Sequence, residues 1–352
     1  MTISRLATSL LALALTAGSA AADIVIGVAG PLSGQYAAFG NELKIGAEAA
    51  AAAVNASGGI NGENIIVVTF DDACDPRRAV EAAKDFGNKD VRLVVGHFCS
   101  SATLAAASTY ANNGTVVITP SATDPAVTEG PLWNLFRLTG REDKQVDLAV
   151  ARISAKGESS DVVLITDGEA ETAALAKRFQ AALPNAKVFT VKAGDPKLPD
   201  DTATLLASSA YLALQAGDAA VIAKELRRLK PDLPLYGPDL LQSESFGAKA
   251  GSAGNTTHVS FLNDLAALAD TRNLAKLPST EGSTLAAYAA VEAFVAAAKA
   301  KGVNDTRGMA EWLRAGNSVA SIIGNIQFDQ QGDLQQQPYV WYMWQDGQLK
   351  RE

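Results

Sequence analysis

Only two histidines and two cysteines occur in the 352 residues, and aromatic side chains make up 6% of them. His97 and His258 lie far apart in the chain, and no HExxH, GxSxG or nucleotide-binding glycine pattern accompanies them. Neither hydrolytic nor nucleotide-driven catalysis is therefore expected, and no cofactor or metal site is expected either. The loop Gly34–Gly40 lacks both GxGxxG and GK[ST] and reads as a turn presenting Phe39. A basic stripe is also missing. Acids outnumber bases by 38 to 30 and the two are mixed along the chain, which argues against nucleic acid as a partner. Beyond the N-terminal segment no stretch approaches the roughly 20 apolar residues that a membrane span needs.

What is present begins with MTISRLATSLLALALTAGSAAA, an early Arg5, a short apolar core and small residues at Ala20 and Ala22. This reads as a secretory signal peptide cleaved before Asp23, its core too short for an anchor. No cysteine sits beside that cleavage point, which argues against a lipoprotein. The remaining 330 residues, with formal charge moved from −8 to −9 by loss of Arg5, suffice for two lobes with real cores. Two cysteines in an exported chain are expected to pair, Cys74 with Cys99. The competing reading is a catalytic Cys99 beside His97, disfavoured because an oxidising compartment pairs such thiols.

Strand and helix patterns alternate from the start. Asp23–Ala29, Asn64–Phe70, Arg92–Gly96 and Thr115–Thr119 are short β-branched runs, and Asn41–Val54 reads as a helix. Asp75-Pro76 opens another as N-cap and first helical residue. The pattern predicts α/β architecture with doubly wound parallel sheets. If the third and fourth runs are neighbours, Ser100, Ser121 and Thr123 meet at their carboxyl ends, where ligands bind in open sheets. Ser100 reads as the N-cap of the helix that follows, whose dipole suits a carboxylate. A second run follows Thr123, with strands at Trp133–Leu138, Asp161–Thr166, Lys187–Val191, Ala210–Leu214 and Leu235–Gly237. Helices are expected over Glu142–Ala155, Glu171–Leu183, from Asp218 as N-cap to near Arg228, and over Gly282–Lys301. Ile326–Phe328 and Tyr339–Trp344 close the chain as strands.

IVIGVAGPLSG, NASGGINGENI, DDACDPRRAV, VVGHFCSS and VITPSAT, in that order over most of Asp23–Gly140, resemble the leucine/isoleucine/valine-binding proteins. These are type I periplasmic solute-binding proteins of ABC importers. The resemblance implies two α/β lobes joined by three crossovers, with residues 23–140 and 263–325 in one and 141–262 and 326–352 in the other. It also implies a periplasmic monomer that delivers a small, amino-acid-like molecule to an inner-membrane ABC permease. In that reading Ser100 holds an α-carboxylate, and the turn Ser121, Ala122 and Thr123 holds carboxylate and ammonium. Phe39 and Phe98 lie against the ligand, and Asp239, after LYGP, pairs with the ammonium. Where the family carries aromatic residues in the second lobe, this chain has Glu171, Gln215 or a near neighbour, and Ser283. Residues 200–211 and 263–282 are also shorter than the family's. These departures point away from leucine and towards a polar or cationic ligand. A ligand sensor of the same fold, docking on a receptor or regulator, is the alternative function.

Overall fold

The computed structural model describes residues 23–198, 207–269, 277–336 and 339–352. The expected signal peptide, residues 1–22, and parts of the two shortened stretches lie outside those residues.

Five parallel strands, β1 (Ile24–Gly30), β2 (Ile65–Asp71), β3 (Leu93–Gly96), β4 (Val116–Thr119) and β5 (Leu135–Arg137), form the first sheet in the order β2-β1-β3-β4-β5. β3 and β4 are neighbours in parallel register, Val94 opposite Val117, as the sequence predicts. Helix α1 (Ala37–Ala56) covers one face, and α2 (Pro76–Asn88) and α3 (Ser100–Asn113) cover the other. Asp75 caps α2 as expected, accepting the N–H groups of Arg77 and Arg78 at 2.7 and 3.3 Å. Ser100 does not cap α3. Cys99 holds the N-cap position in extended conformation, and Ser100 is the first helical residue. A short helix, α4 (Ala126–Glu129), precedes β5.

The chain then crosses to a second sheet through residues 138–142. There α5 (Asp143–Ala155), β6 (Val162–Thr166), α6 (Ala170–Ala182), β7 (Lys187–Thr190), β8 (Ser209–Ala213), α7 (Ala216–Leu229), β9 (Leu235–Gly237), α8 (Glu244–Ala250) and β10 (Thr257–Leu262) follow in order. Asp218 lies in the first turn of α7 rather than at its N-cap, which is Gln215. The Asp218 carboxylate instead accepts the N–H of Gly194 at 2.8 Å. A short helix, α9 (Leu265–Leu268), begins the second crossover, and α10 (Gly282–Lys301) and α11 (Thr306–Arg314) return to the first lobe. α10 has the bounds that its alanine-rich pattern predicts.

α10 packs on α1 through small residues, and the approach is close enough to require one glycine. A Cβ on Gly46 would stand 2.1 Å from the Thr284 carbonyl oxygen. The hairpin β11 (Val319–Ser321) and β12 (Gly324–Ile326) follows. Ile326 and Phe328 are buried in the first lobe's core, so the third crossing comes later than the expected boundary between residues 325 and 326. β13 (Tyr339–Gln345) and β14 (Gln348–Arg351) then extend the second sheet to β14-β13-β10-β9-β8-β6-β7. Its β10 to β9 side is parallel, whereas β13 and β14 join antiparallel at the edge.

Candidate functional site

The carboxyl ends of β3 and β4 carry the residues singled out by sequence. Gly96 has φ +141°, and a Cβ there would stand 2.1 Å from the Ala29 carbonyl oxygen. Only glycine lets β1 and β3 end this close together. Below the turn, the Thr119 hydroxyl donates to the His97 carbonyl (2.8 Å) and accepts the Ala122 N–H (3.0 Å). Ser121 Oγ donates to the Phe98 carbonyl at 3.0 Å. The two loops are thus tied to each other before any ligand arrives.

Ser100 Oγ accepts the Asp124 N–H at 3.2 Å, which leaves its own proton for a further acceptor. Thr123 Oγ1 donates to Glu142 Oε2 at 3.2 Å, which leaves its oxygen as an acceptor. Ala122 is buried; its N–H donates to Thr119 Oγ1 and its carbonyl accepts Arg137 Nη1 at 3.0 Å. α3 begins here without a side-chain cap, so its first N–H groups face outward at a positive dipole end.

Behind this edge Cys74 and Cys99 are bonded, with Cα atoms 5.5 Å apart. A catalytic Cys99 is thereby overturned. Asp72 accepts the Cys74 N–H (2.8 Å) and meets His97 Nδ1 (2.5 Å), and His97 Nε2 meets the Tyr110 hydroxyl (3.0 Å). All three side chains are buried. Burial first, and then the Asp72 charge, push the Tyr110 phenol well above its ordinary range. His97 is therefore a packed, hydrogen-bonded link between the loops after β2 and β3. The bridge closes 25 residues of sequence separation, so its reduction is expected to cost about 3–4 kcal/mol in the chain-entropy model. Urea unfolding with and without reductant measures this, and coincident curves after confirmed reduction would refute it.

At the second sheet's carboxyl edge, Asp239 begins a 3-10 turn after β9, and its N–H binds Gln145 Oε1 at 2.8 Å. The Gln215 N–H binds Asp167 Oδ2 at 3.1 Å. Glu171 stands in the first turn of α6, and its side chain lies outside the described residues. Tyr339, buried at the start of β13, lies near both Asp239 and Glu142. Burial, then those charges, raise its phenol above the ordinary range.

Between the lobes lies a cavity of about 570 Å³. Phe39, Phe98 and Ser121 line it from the first lobe, Phe261 and Tyr342 from the second. Thr139, Asn263 and Gln336 line it from the three crossovers. Phe39 and Phe98 stack with centroids 4.8 Å apart and planes 16° apart, and Phe39 remains 42% exposed, so one ring face is open. Ser283 also lines the cavity, but Ser100, Ala122, Thr123, Gln215 and Asp239 do not. Glu42 and Glu281 line it as well, and sequence reasoning passed over both. Glu42 stands three residues after Phe39 on one helical face, the one sequence cue for it.

The hairpin β11–β12 closes part of this cavity through Ile323, Asn325 and Ile326. Glu292 of α10 anchors it, accepting the Ile322 N–H at 2.7 Å. Burial pushes the Glu292 carboxyl up from the ordinary 4.5 to about 7. Because the folded pKa is the higher one, the folded state binds more protons between those values. Stability therefore falls as pH rises from about 4.5 to about 7, and the full penalty remains above that. Glu292→Gln, which retains an acceptor, is expected to gain about 2–3 kcal/mol at pH 8 and to flatten the profile. Stability curves that stay parallel from pH 5 to 8 would contradict this.

Three comparisons bear on this geometry. The sequence profile of a family described as periplasmic binding protein matches residues 23–348. An "Amino acid binding protein" of Pseudomonas aeruginosa is 34% identical over 343 residues, covering 93% of this chain and 91% of that protein. The "Leu/Ile/Val-binding protein homolog 2" of Brucella abortus is 31% identical over 352 residues, covering 96% and 95%. The solved ABC transporter substrate-binding protein of Desulfitobacterium hafniense, in complex with Leu, superposes with TM-score 0.71 at 20% identity, over 94% of this chain and all of that one. That likeness concerns the fold.

Proposed function

We propose, from the premise that this chain belongs to the periplasmic binding protein family, that it holds one small, amino-acid-like solute between its lobes and presents it to an ABC importer's permease. Proteins of this family bind solutes and are not enzymes. The observation that carries the reading is the cavity lined from both lobes and from all three crossovers. A solute there touches both lobes and the segments that connect them, so binding favours one arrangement of the lobes over another.

The first-lobe hydroxyls divide the work by their remaining capacity. Ser100 offers a proton to a carboxylate, with the α3 N-terminus behind it. Thr123 offers an oxygen to an ammonium, with Glu142 beside it, and Asp239 near Tyr339 is the second acid proposed for it. Phe39 and Phe98 take the apolar part. Paired charges of this kind tolerate a closed, dry site. The relatives' names, amino acid and Leu/Ile/Val binding, support the class.

A thermal-shift screen of refolded, ligand-stripped protein tests the reading. The panel holds branched-chain, basic and acidic amino acids, amides, polyamines and aromatic carboxylates. A ligand at a hundred times its Kd adds about 2.7 kcal/mol, and calorimetry should return one site. Silence across the panel would contradict the reading.

A further inference from the structure

Among the described residues the cavity's charge is one-sided. Three carboxylates, Glu42, Asp264 and Glu281, line it, and no lysine, arginine or histidine does so among the described residues. Glu42 and Glu281 form no ion pair among the described residues. Burial, and then the Glu281 charge, push the Glu42 carboxyl upward against the hydrogen bond from Ser283. Two acids facing one space without a counter-ion repel each other, and a cation between them removes that repulsion. Asn263 adds a buried Oδ1 with no hydrogen-bond partner, and Asn263 also lines the cavity. The rest of the wall combines the stacked Phe39–Phe98 pair and leucine, isoleucine and alanine side chains with polar residues such as Ser121, Thr139, Asn325 and Gln336. Such a wall accepts an aliphatic stem, and the open ring face attracts a cation.

We infer that the cavity takes the side chain of the bound solute, and that this side chain is long, apolar along its stem and cationic at its tip. The inference rests on the solute-binding reading above and goes further by naming the class. It reaches a cationic ligand through Glu42 and Glu281, residues independent of Glu171 and Asp239. A carboxylate tip would meet three like charges and, among the described residues, no counter-charge. A methyl tip would leave the repulsion between Glu42 and Glu281 unrelieved. The volume of about 570 Å³ lies within the range of small-molecule sites, about 300–1,000 Å³, and leaves room for a stem longer than that of leucine.

The test uses three amino acids that share one backbone and a straight chain, lysine, norleucine and 2-aminoadipate. Each is titrated calorimetrically into ligand-stripped full-length mature protein at pH 7.5, with leucine alongside. Lysine is expected to bind at least tenfold more tightly than norleucine, and 2-aminoadipate to bind weakest. Glu42→Gln with Glu281→Gln is expected to erase the gap between lysine and norleucine, its fold checked by the melting temperature without ligand. Should that variant fail to fold, the ranking on the unaltered protein decides alone. Norleucine or leucine binding more tightly than lysine, or 2-aminoadipate matching it, would overturn the inference and leave the solute-binding reading standing. Failure of all four to bind would also overturn the inference, and the wider thermal-shift panel then decides on the solute-binding reading.

Discussion

Ser100→Ala combined with Thr123→Ala is expected to weaken binding of an amino-acid-like solute by at least about 100-fold. Each hydroxyl is assigned one hydrogen bond to a charged group of the ligand, worth about 1.5–3 kcal/mol, and each 1.4 kcal/mol is tenfold in Kd. The fold should tolerate both changes. Ser100 and Thr123 are half-buried, so water can replace the bonds to Asp124 and Glu142, at a cost of about 1 kcal/mol or less each. Calorimetric titration of the double variant, alongside its melting curve, separates the two effects. Retained affinity in a folded double variant would remove these residues from the site.

Arg137→Ala is expected to have the largest effect on stability. The guanidinium is fully buried. Its Nε binds Asp333 Oδ1 (2.8 Å), its Nη1 binds the carbonyls of Ala122 (3.0 Å) and Asp124 (2.8 Å), and its Nη2 binds Thr128 Oγ1 (2.5 Å). Removing it takes the guanidinium from Asp333, which keeps Thr128 and Arg141 as donors, and leaves the Ala122 carbonyl without its donor, a loss of about 3–5 kcal/mol by analogy with broken buried ion pairs. The two carbonyls flank Thr123, so affinity should fall as well. Arg137→Lys keeps the charge without the planar fork and should fall between the two. A loss below about 1 kcal/mol in urea unfolding would show that the network contributes little.

The sequence was most legible where contacts are local. β3 and β4 are unbroken β-branched runs, Asp75-Pro76 is a strong helix start, and α10 is a long alanine-rich segment. One-residue offsets arose where tertiary bonds decide. Ser100 has the chemistry of an N-cap, yet Cys99, bonded to Cys74, takes that place and Ser100 turns to Asp124. β10 was missed altogether. Thr257–Leu262 mixes polar and apolar residues, and its antiparallel partner is the distant β13, His258 opposite Met343. The pairing of the cavity's acids was hidden for a related reason. Glu42 and Glu281 come together only because α1 packs on α10, and no local pattern reports that.

The most direct measurement is the distance between the lobes with and without solute. Ile66 and Val221 are exposed, one on each lobe, and neither native cysteine is free, so Ile66→Cys and Val221→Cys can be spin-labelled selectively. Ligand-stripped protein should give one distance distribution. Saturating lysine or leucine, whichever gives the larger thermal shift, should move it to shorter distances. An unchanged distribution with the site saturated would contradict enclosure of the solute between the lobes.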